Sequence, residues 1–247
     1  MNRLGKWLGL MVLLLSPLLA AEEFDLAYYQ AQFDSGNRQQ QIQAAGSLEW
    51  AGLGDEVLFD SVAEQLERVT SESNSKANQE HGAWLLKALG FSGNDKYRPL
   101  LEKYSQKPYP KKLRKYAKQG LTLLTQHQKW NPIINDVSGF DPTQPLKVNR
   151  LANMMKSDEL ELQRIAAKRV HFEHLYPDYL LQTLAQQLQR RVPEMDDGKL
   201  TIDTYAWMAK ALAGSAESAY RPVVEEIAAS APNKKLRKYA KKYLNYY

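Results

Sequence analysis

The chain has 247 residues, with 33 Lys plus Arg against 28 Asp plus Glu for a net charge of +5, and it contains no cysteine. A chain of this length can bury a core that needs no disulfide. The absence of cysteine excludes disulfides, thiolate metal sites and a cysteine nucleophile.

In chain order, residues 1–21 read as a secretory leader. Arg3 and Lys6 give a positive start, Trp7 to Leu19 is a nearly unbroken apolar run, and Ala20-Ala21 offers small residues before Glu22-Glu23. The run is short for a spanning helix, which needs about 20 apolar residues. Leu18 or Leu19 stands where a smaller residue is usual before a cut, so an uncleaved anchor is the alternative. No cysteine follows the run, so a lipid-modified cysteine anchor is excluded. Cleavage would leave 31 basic against 28 acidic side chains, a net of about +3, and a periplasmic or secreted protein.

The remainder is a tandem duplication. Ala83–Leu121 aligns without a gap on Ala206–Leu244, and 19 of 39 positions are identical. Ala83-Trp84 matches Ala206-Trp207, Lys87-Ala88-Leu89 matches Lys210-Ala211-Leu212, and Tyr97-Arg98-Pro99 matches Tyr220-Arg221-Pro222. Lys111 to Lys118 (KKLRKYAK) recurs letter for letter as Lys234 to Lys241. The period is helical throughout: Leu113, Tyr116, Ala117, Gly120 and Leu124 fall on one face, with Lys111, Lys115 and Lys118 opposite. This predicts helices near 24–33, 37–51, 55–69, 78–90, 95–105 and 111–125 in a first half (22–125). A linker over 126–145 follows, broken by Trp130-Asn131-Pro132, Ser138-Gly139 and Asp141-Pro142. In the second half (146–247) helices are predicted near 146–156, 159–175, 178–191, 200–213, 217–229 and 233–246. Short connections imply antiparallel neighbours. A chain cut after residue 125 is expected to remain soluble.

The alternation of segments such as AWLLKALG (Ala83–Gly90) and KYRPLLEKY (Lys96–Tyr104) resembles the HEAT-repeat family, including its short bacterial members. The resemblance covers most of residues 24–247. It implies an all-α solenoid of about twelve helices in stacked pairs, each pair burying the stripe its neighbour cannot. It also implies a curved scaffold that binds proteins, with the second helix of each pair on the concave side.

Candidate binding residues follow from the repeat. Lys111, Lys112, Arg114, Lys115 and Lys118 form one basic ridge; Lys234, Lys235, Arg237, Lys238, Lys241 and Lys242 form the other. Such ridges are either a solvated helix face or a grip on an acidic protein, an anionic lipid or a polyanionic glycan. Export and the small net charge speak against nucleic acid, and Tyr116 and Tyr239 fall on the core face, where they cannot stack on bases. Arg98 and Arg221 are expected on the concave face as carboxylate readers, or else in intramolecular salt bridges. Trp84 and Trp207 read as buried inter-helix anchors, with an exposed binding platform as the other reading. Trp130, with no copy in the other half, either wedges between the halves or faces a partner.

His171 and His174 share a helix face if the helix continues, which would suit a metal ion, but the spacing is not H-E-x-x-H. No nucleophile elbow, phosphate loop or dinucleotide fingerprint occurs. No cofactor, metal or catalytic residue is therefore expected, and the functional reading is a protein-binding scaffold of the cell envelope.

Overall fold

Short polar side chains start many of the helices. Asp25, Asn37, Asp55, Ser75 and Asn233 each accept hydrogen bonds from first-turn backbone N–H groups, which have no partner within the helix itself. Pro110, Pro145 and Pro177 stand before three further helices. The computed structural model describes residues 24–247, so the leader expected over 1–21 lies outside the described residues. The helices are α1 (Leu26–Asp34), α2 (Arg38–Ser47), α3 (Glu56–Glu72), α4 (Lys76–Phe91), α5 (Arg98–Ser105), α6 (Lys111–Ile134), α7 (Leu146–Lys156), α8 (Leu160–Phe172), α9 (Asp178–Arg191), α10 (Lys199–Gly214), α11 (Arg221–Ser230) and α12 (Lys234–Tyr243). No strand occurs among the described residues, and no described helix is long and apolar enough to cross a membrane.

Most helices of the described residues fall into two layers, and α5 packs on α6. In one layer α2 lies on α4 and α4 on α6, then α8 on α10 and α10 on α12. In the other, α1 lies on α3, and α7 on α9 on α11. Each pair touches the next, which is the stacking of a helical solenoid. The α4–α6 crossing is set by two glycines. A Cβ on Gly90 would lie 2.6 Å from the Gly120 carbonyl oxygen, and one on Gly120 would lie 2.7 Å from that of Leu86. Backbones touch there because neither residue has a side chain. The equivalent positions of the second copy are Ala213 and Tyr243, so the second half cannot pack as closely.

α6 does not stop near residue 125, as the breaker residues suggested, but runs to Ile134. Pro132 sits in its last turn, where it forfeits a single intrahelical bond, and buried Trp130, Asn131 and Ile134 hold that turn against the core. The buried Asn131 amide donates to the carbonyls of Leu53 (3.0 Å), Phe91 (2.9 Å) and Ser92 (3.0 Å). His127 Nδ1, 2.7 Å away, donates to the Asn131 side-chain oxygen. Gly93, at φ +61°, presses its α-carbon against this same turn; a Cβ would lie 2.6 Å from the His127 carbonyl carbon. One helical turn thus gathers the loops at the ends of α2 and α4.

Residues 135–145 are anchored by side chains of α7. Asn149 donates to the Asp141 and Gln144 carbonyls at 2.8 and 3.0 Å, and Asn153 donates to that of Asp136 at 2.9 Å. The halves then meet through Trp50. It follows α2, yet it is buried in the core of the second half, with Lys147 5.1 Å and Arg169 5.5 Å from its ring centre. Arg150 donates to the Phe24 carbonyl at 2.6 Å.

Two predictions follow from this packing. Asn131→Ala strands several buried carbonyls and should lower unfolding stability by about 3 kcal/mol or more, read as a shift in urea midpoint. A fragment ending at residue 125 lacks His127, Trp130 and Asn131, so it should show a non-cooperative melt by circular dichroism. A cooperative melt would mean that the first half folds without them.

Candidate binding cleft between the two halves

The junction of the halves opens a cleft of about 470 Å³, within the range of built ligand sites. The second half of α6 contributes Leu123, Gln126, His127 and Trp130 to it; α8 contributes Ile165, Lys168 and Phe172 among others. The 3.6-residue period selects these residues: Leu123, Gln126 and Trp130 lie one turn apart on α6, as do Ile165, Lys168 and Phe172 on α8.

The charged groups of the cleft are mostly neutralised by one another. Arg169 reaches Glu49 at 3.0 Å and Glu173 at 2.9 Å, and so ties α2's exit to α8. Lys147 adds a bond to Glu173 at 2.5 Å. Burial works to raise the Glu173 carboxyl, but bonds from Lys147 and Arg169 outweigh it and hold the group below its ordinary range. Arg164 bridges Glu161 at 2.8 Å and Asp203 at 3.1 Å. Glu159 receives Lys129 at 2.5 Å and the Trp130 indole N–H at 3.2 Å, and the Lys129 bond is the chief cause of its lowered pKa. Trp130 therefore wedges between the halves; it is 5% exposed.

At the mouth stands an aromatic shelf. Phe172 is 64% exposed and packs 5.3 Å from Trp207, with His171 6.0 Å from the same indole. Lys168 lies 5.1 Å and Lys210 4.6 Å from the Trp207 ring centre. At the matching place in the first copy, Lys87 lies 5.2 Å from Trp84, whose indole N–H donates to Glu80 at 3.1 Å. Trp84 and Trp207 are half-buried and not the fully buried anchors the sequence favoured. Each packs one part of its ring on the protein and offers another to lysine. Lys87, Lys168 and Lys210 make no ion pair among the described residues.

His171 and His174 are not on one helix face. α8 ends at Phe172, and His174 takes φ +51° beyond it. The His174 ring packs on Tyr176, while His171 turns towards Trp207. Among the described residues no three His, Asp or Glu side chains gather as metal ligands.

The basic ridges lie elsewhere. They occupy the N-terminal part of α6 and all of α12, so Lys115 stands roughly 22 Å along α6 from Trp130 at 1.5 Å per residue. Lys111, Arg114, Lys115 and Lys118 surround one shallow depression, and Lys234, Lys235, Arg237, Lys238 and Lys241 surround another. Lys112 pairs with Glu80. Arg237 donates to the Ala231 and Pro232 carbonyls at 2.5 and 2.9 Å, closing the end of α11. Lys111, Lys115, Lys118, Lys234, Lys238 and Lys241 form no ion pair among the described residues.

Arg98 and Arg221, which open α5 and α11, do not line the cleft. Each closes an ion pair on its own stretch, Arg98 with Asp95 at 2.7 Å and Arg221 with Glu225 at 2.8 Å. The neighbouring tyrosines bond outside that stretch: Tyr97 donates to Asp60 at 3.0 Å and Tyr220 donates to Asp178.

No protein-family model matches the chain, and no curated protein matches it. Among solved structures, human deoxyhypusine hydroxylase in complex with glycerol is 13% identical, with a TM-score of 0.35 over 90% of this chain and 83% of that one. A designed armadillo repeat protein is 14% identical, with a TM-score of 0.26 over 90% and 99%.

Two buried histidines, His127 of the cleft and His81 of α4, carry a pH prediction. Burial pushes His127 down to about 4, and burial with nearby Arg38 and Arg68 pushes His81 down to about 4. Both are therefore neutral in the fold, while the unfolded chain takes up their protons below about 6.5. Their contribution to stability is complete above that pH and is lost as pH falls to about 4. The urea midpoint should decline across this window, and His127→Gln should flatten the decline. An unchanged slope would place the acid sensitivity elsewhere.

Proposed function

We propose that this chain is a helical-repeat scaffold that holds a protein partner in the cleft between its halves. The observation that carries the reading is Phe172, a large apolar side chain left exposed at the mouth of a cleft that both halves build. A folded chain gains by burying such a ring, and a solvent-facing aromatic beside a ready-made concavity is what a partner's side chain would cover. The paired charges around the cleft serve to fix its walls. The leader-like residues 1–21 support export to the periplasm or out of the cell.

A second reading has its own observation. Lys111 and Lys112 open α6, and Lys234 and Lys235 open α12. Cations in a first turn oppose the helix dipole at about 0.3–1 kcal/mol each, and most of the ridge lysines have no ion pair among the described residues. This favours an anionic lipid or polysaccharide surface as a further ligand.

Affinity capture from envelope extract separates the two. Tagged wild-type chain is compared with Phe172→Asp and with a charge-reversed form (Lys111, Lys115, Lys234 and Lys238 to Glu), at low and high salt. The scaffold reading expects one protein recovered by wild type and by the ridge form at both salts, and lost with Phe172→Asp. Loss with salt and with ridge reversal, but not with Phe172→Asp, would move the site to the ridges.

A further inference from the structure

We infer that the occupant of the cleft is an extended acidic segment of a partner protein, carrying aromatic or apolar side chains between its carboxylates and engaging the Trp84/Lys87 and Trp207/Lys210 steps together. The inference rests on the cleft reading above and names the chemistry of its ligand.

Charge complementarity carries it. Glu49, Glu161 and Glu173 are all engaged by Arg169, Arg164 and Lys147. Glu80 beside Trp84 is engaged by Lys112. Beside Trp84 and Trp207, the side chains without an ion pair among the described residues are cationic: Lys87, Lys168 and Lys210. None of them is on a fully solvated face. All three are half-buried, laid against Trp84 or Trp207. A lysine held over an indole keeps two faces of its ammonium free, so a carboxylate can join it while an apolar group lies on the aromatic edge. A basic segment would find the lining carboxylates Glu49, Glu161 and Glu173 already paired.

The duplication adds the second step. Trp84 and Lys87, like Trp207 and Lys210, are three residues apart on a helix, the spacing that sets a lysine over an indole one turn away. α4 packs on α6 and α10 on α8, the two helices that line the cleft. About 12 residues of extended chain span roughly 40 Å at about 3.3 Å each. Two linked contacts then bind more tightly than either alone.

The test uses the whole protein and fluorescein-labelled peptides of about 12 residues, built from repeated Glu-Glu-Phe, Lys-Lys-Phe or Glu-Glu-Ser. Anisotropy should show binding of the Glu-Glu-Phe peptide alone. Lys168→Glu with Lys210→Glu should weaken it roughly tenfold or more, Lys87→Glu should weaken it separately, and the ridge-reversed form should bind as wild type. None of these half-buried lysines belongs to the apolar core, and a thermal melt checks that the reversed forms stay folded. No binding of Glu-Glu-Phe, equal binding of Lys-Lys-Phe, or sensitivity to the ridges alone overturns the inference. If a captured partner is lost with Phe172→Asp yet presents a basic or neutral segment, the inference falls while the scaffold stands. If capture ignores Phe172, both fall.

Discussion

The Asn131 side chain is the contact on which the remaining architecture depends. Three carbonyls from two loops converge on one amide, and the His127 imidazole fixes which way that amide points. A buried carbonyl without a donor is costly, so the loops after α2 and α4 have little freedom to leave. Their placement sets the C-terminal turn of α6, and that turn presents Trp130 to Glu159 of the second half. The same loop region carries Trp50 into the second core. The cleft is therefore a consequence of one polar cluster at the end of the first half, and not of surface loops.

Duplication alone would not give a cleft. Copies of one unit stacked by one rule would bury the junction as they bury every other step. The two halves differ where it matters. Gly90 and Gly120 let α4 and α6 touch by backbone, while Ala213 and Tyr243 stand at the equivalent places. Between the halves, α6 packs on α7, and α6 and α8 are left lining the gap. Arg169 spans it through Glu49 instead of a packed ridge filling it. The charged walls make this tolerable, since a wet cleft lined by paired ions costs less than an open apolar seam.

Much of the fold was legible because amphipathic helices and copied blocks are local signals. The Lys111 to Lys118 block announced both α6 and α12, and Pro99 and Pro222 marked first turns. The end of α6 was not legible, because Trp130-Asn131-Pro132 reads as a breaker until Asn131 is seen to have distant carbonyls as partners. The cleft was hidden for the same reason. Leu123, Ile165, Lys168 and Phe172 become neighbours only through tertiary packing across tens of residues. His171 and His174 misled in the opposite way: their spacing is helical, but the helix ends between them. One signal was present and under-used. Trp84 with Lys87 and Trp207 with Lys210 are copied pairs at helical spacing, and an indole shared with a lysine is seldom fully buried.

The two basic surfaces of the molecule differ in a way that bears on function. Ridge lysines stand in water, where salt screens them and each can bind a small anion for little gain. Lys87, Lys168 and Lys210 are fewer, but they are oriented by indoles and partly withdrawn from solvent, where a carboxylate interaction is stronger. Specific recognition requires such pre-set geometry, because ordering a flexible lysine on binding consumes much of what the ion pair returns. On that ground the proposed acidic segment is to be told apart by the inner lysines and not by the ridges.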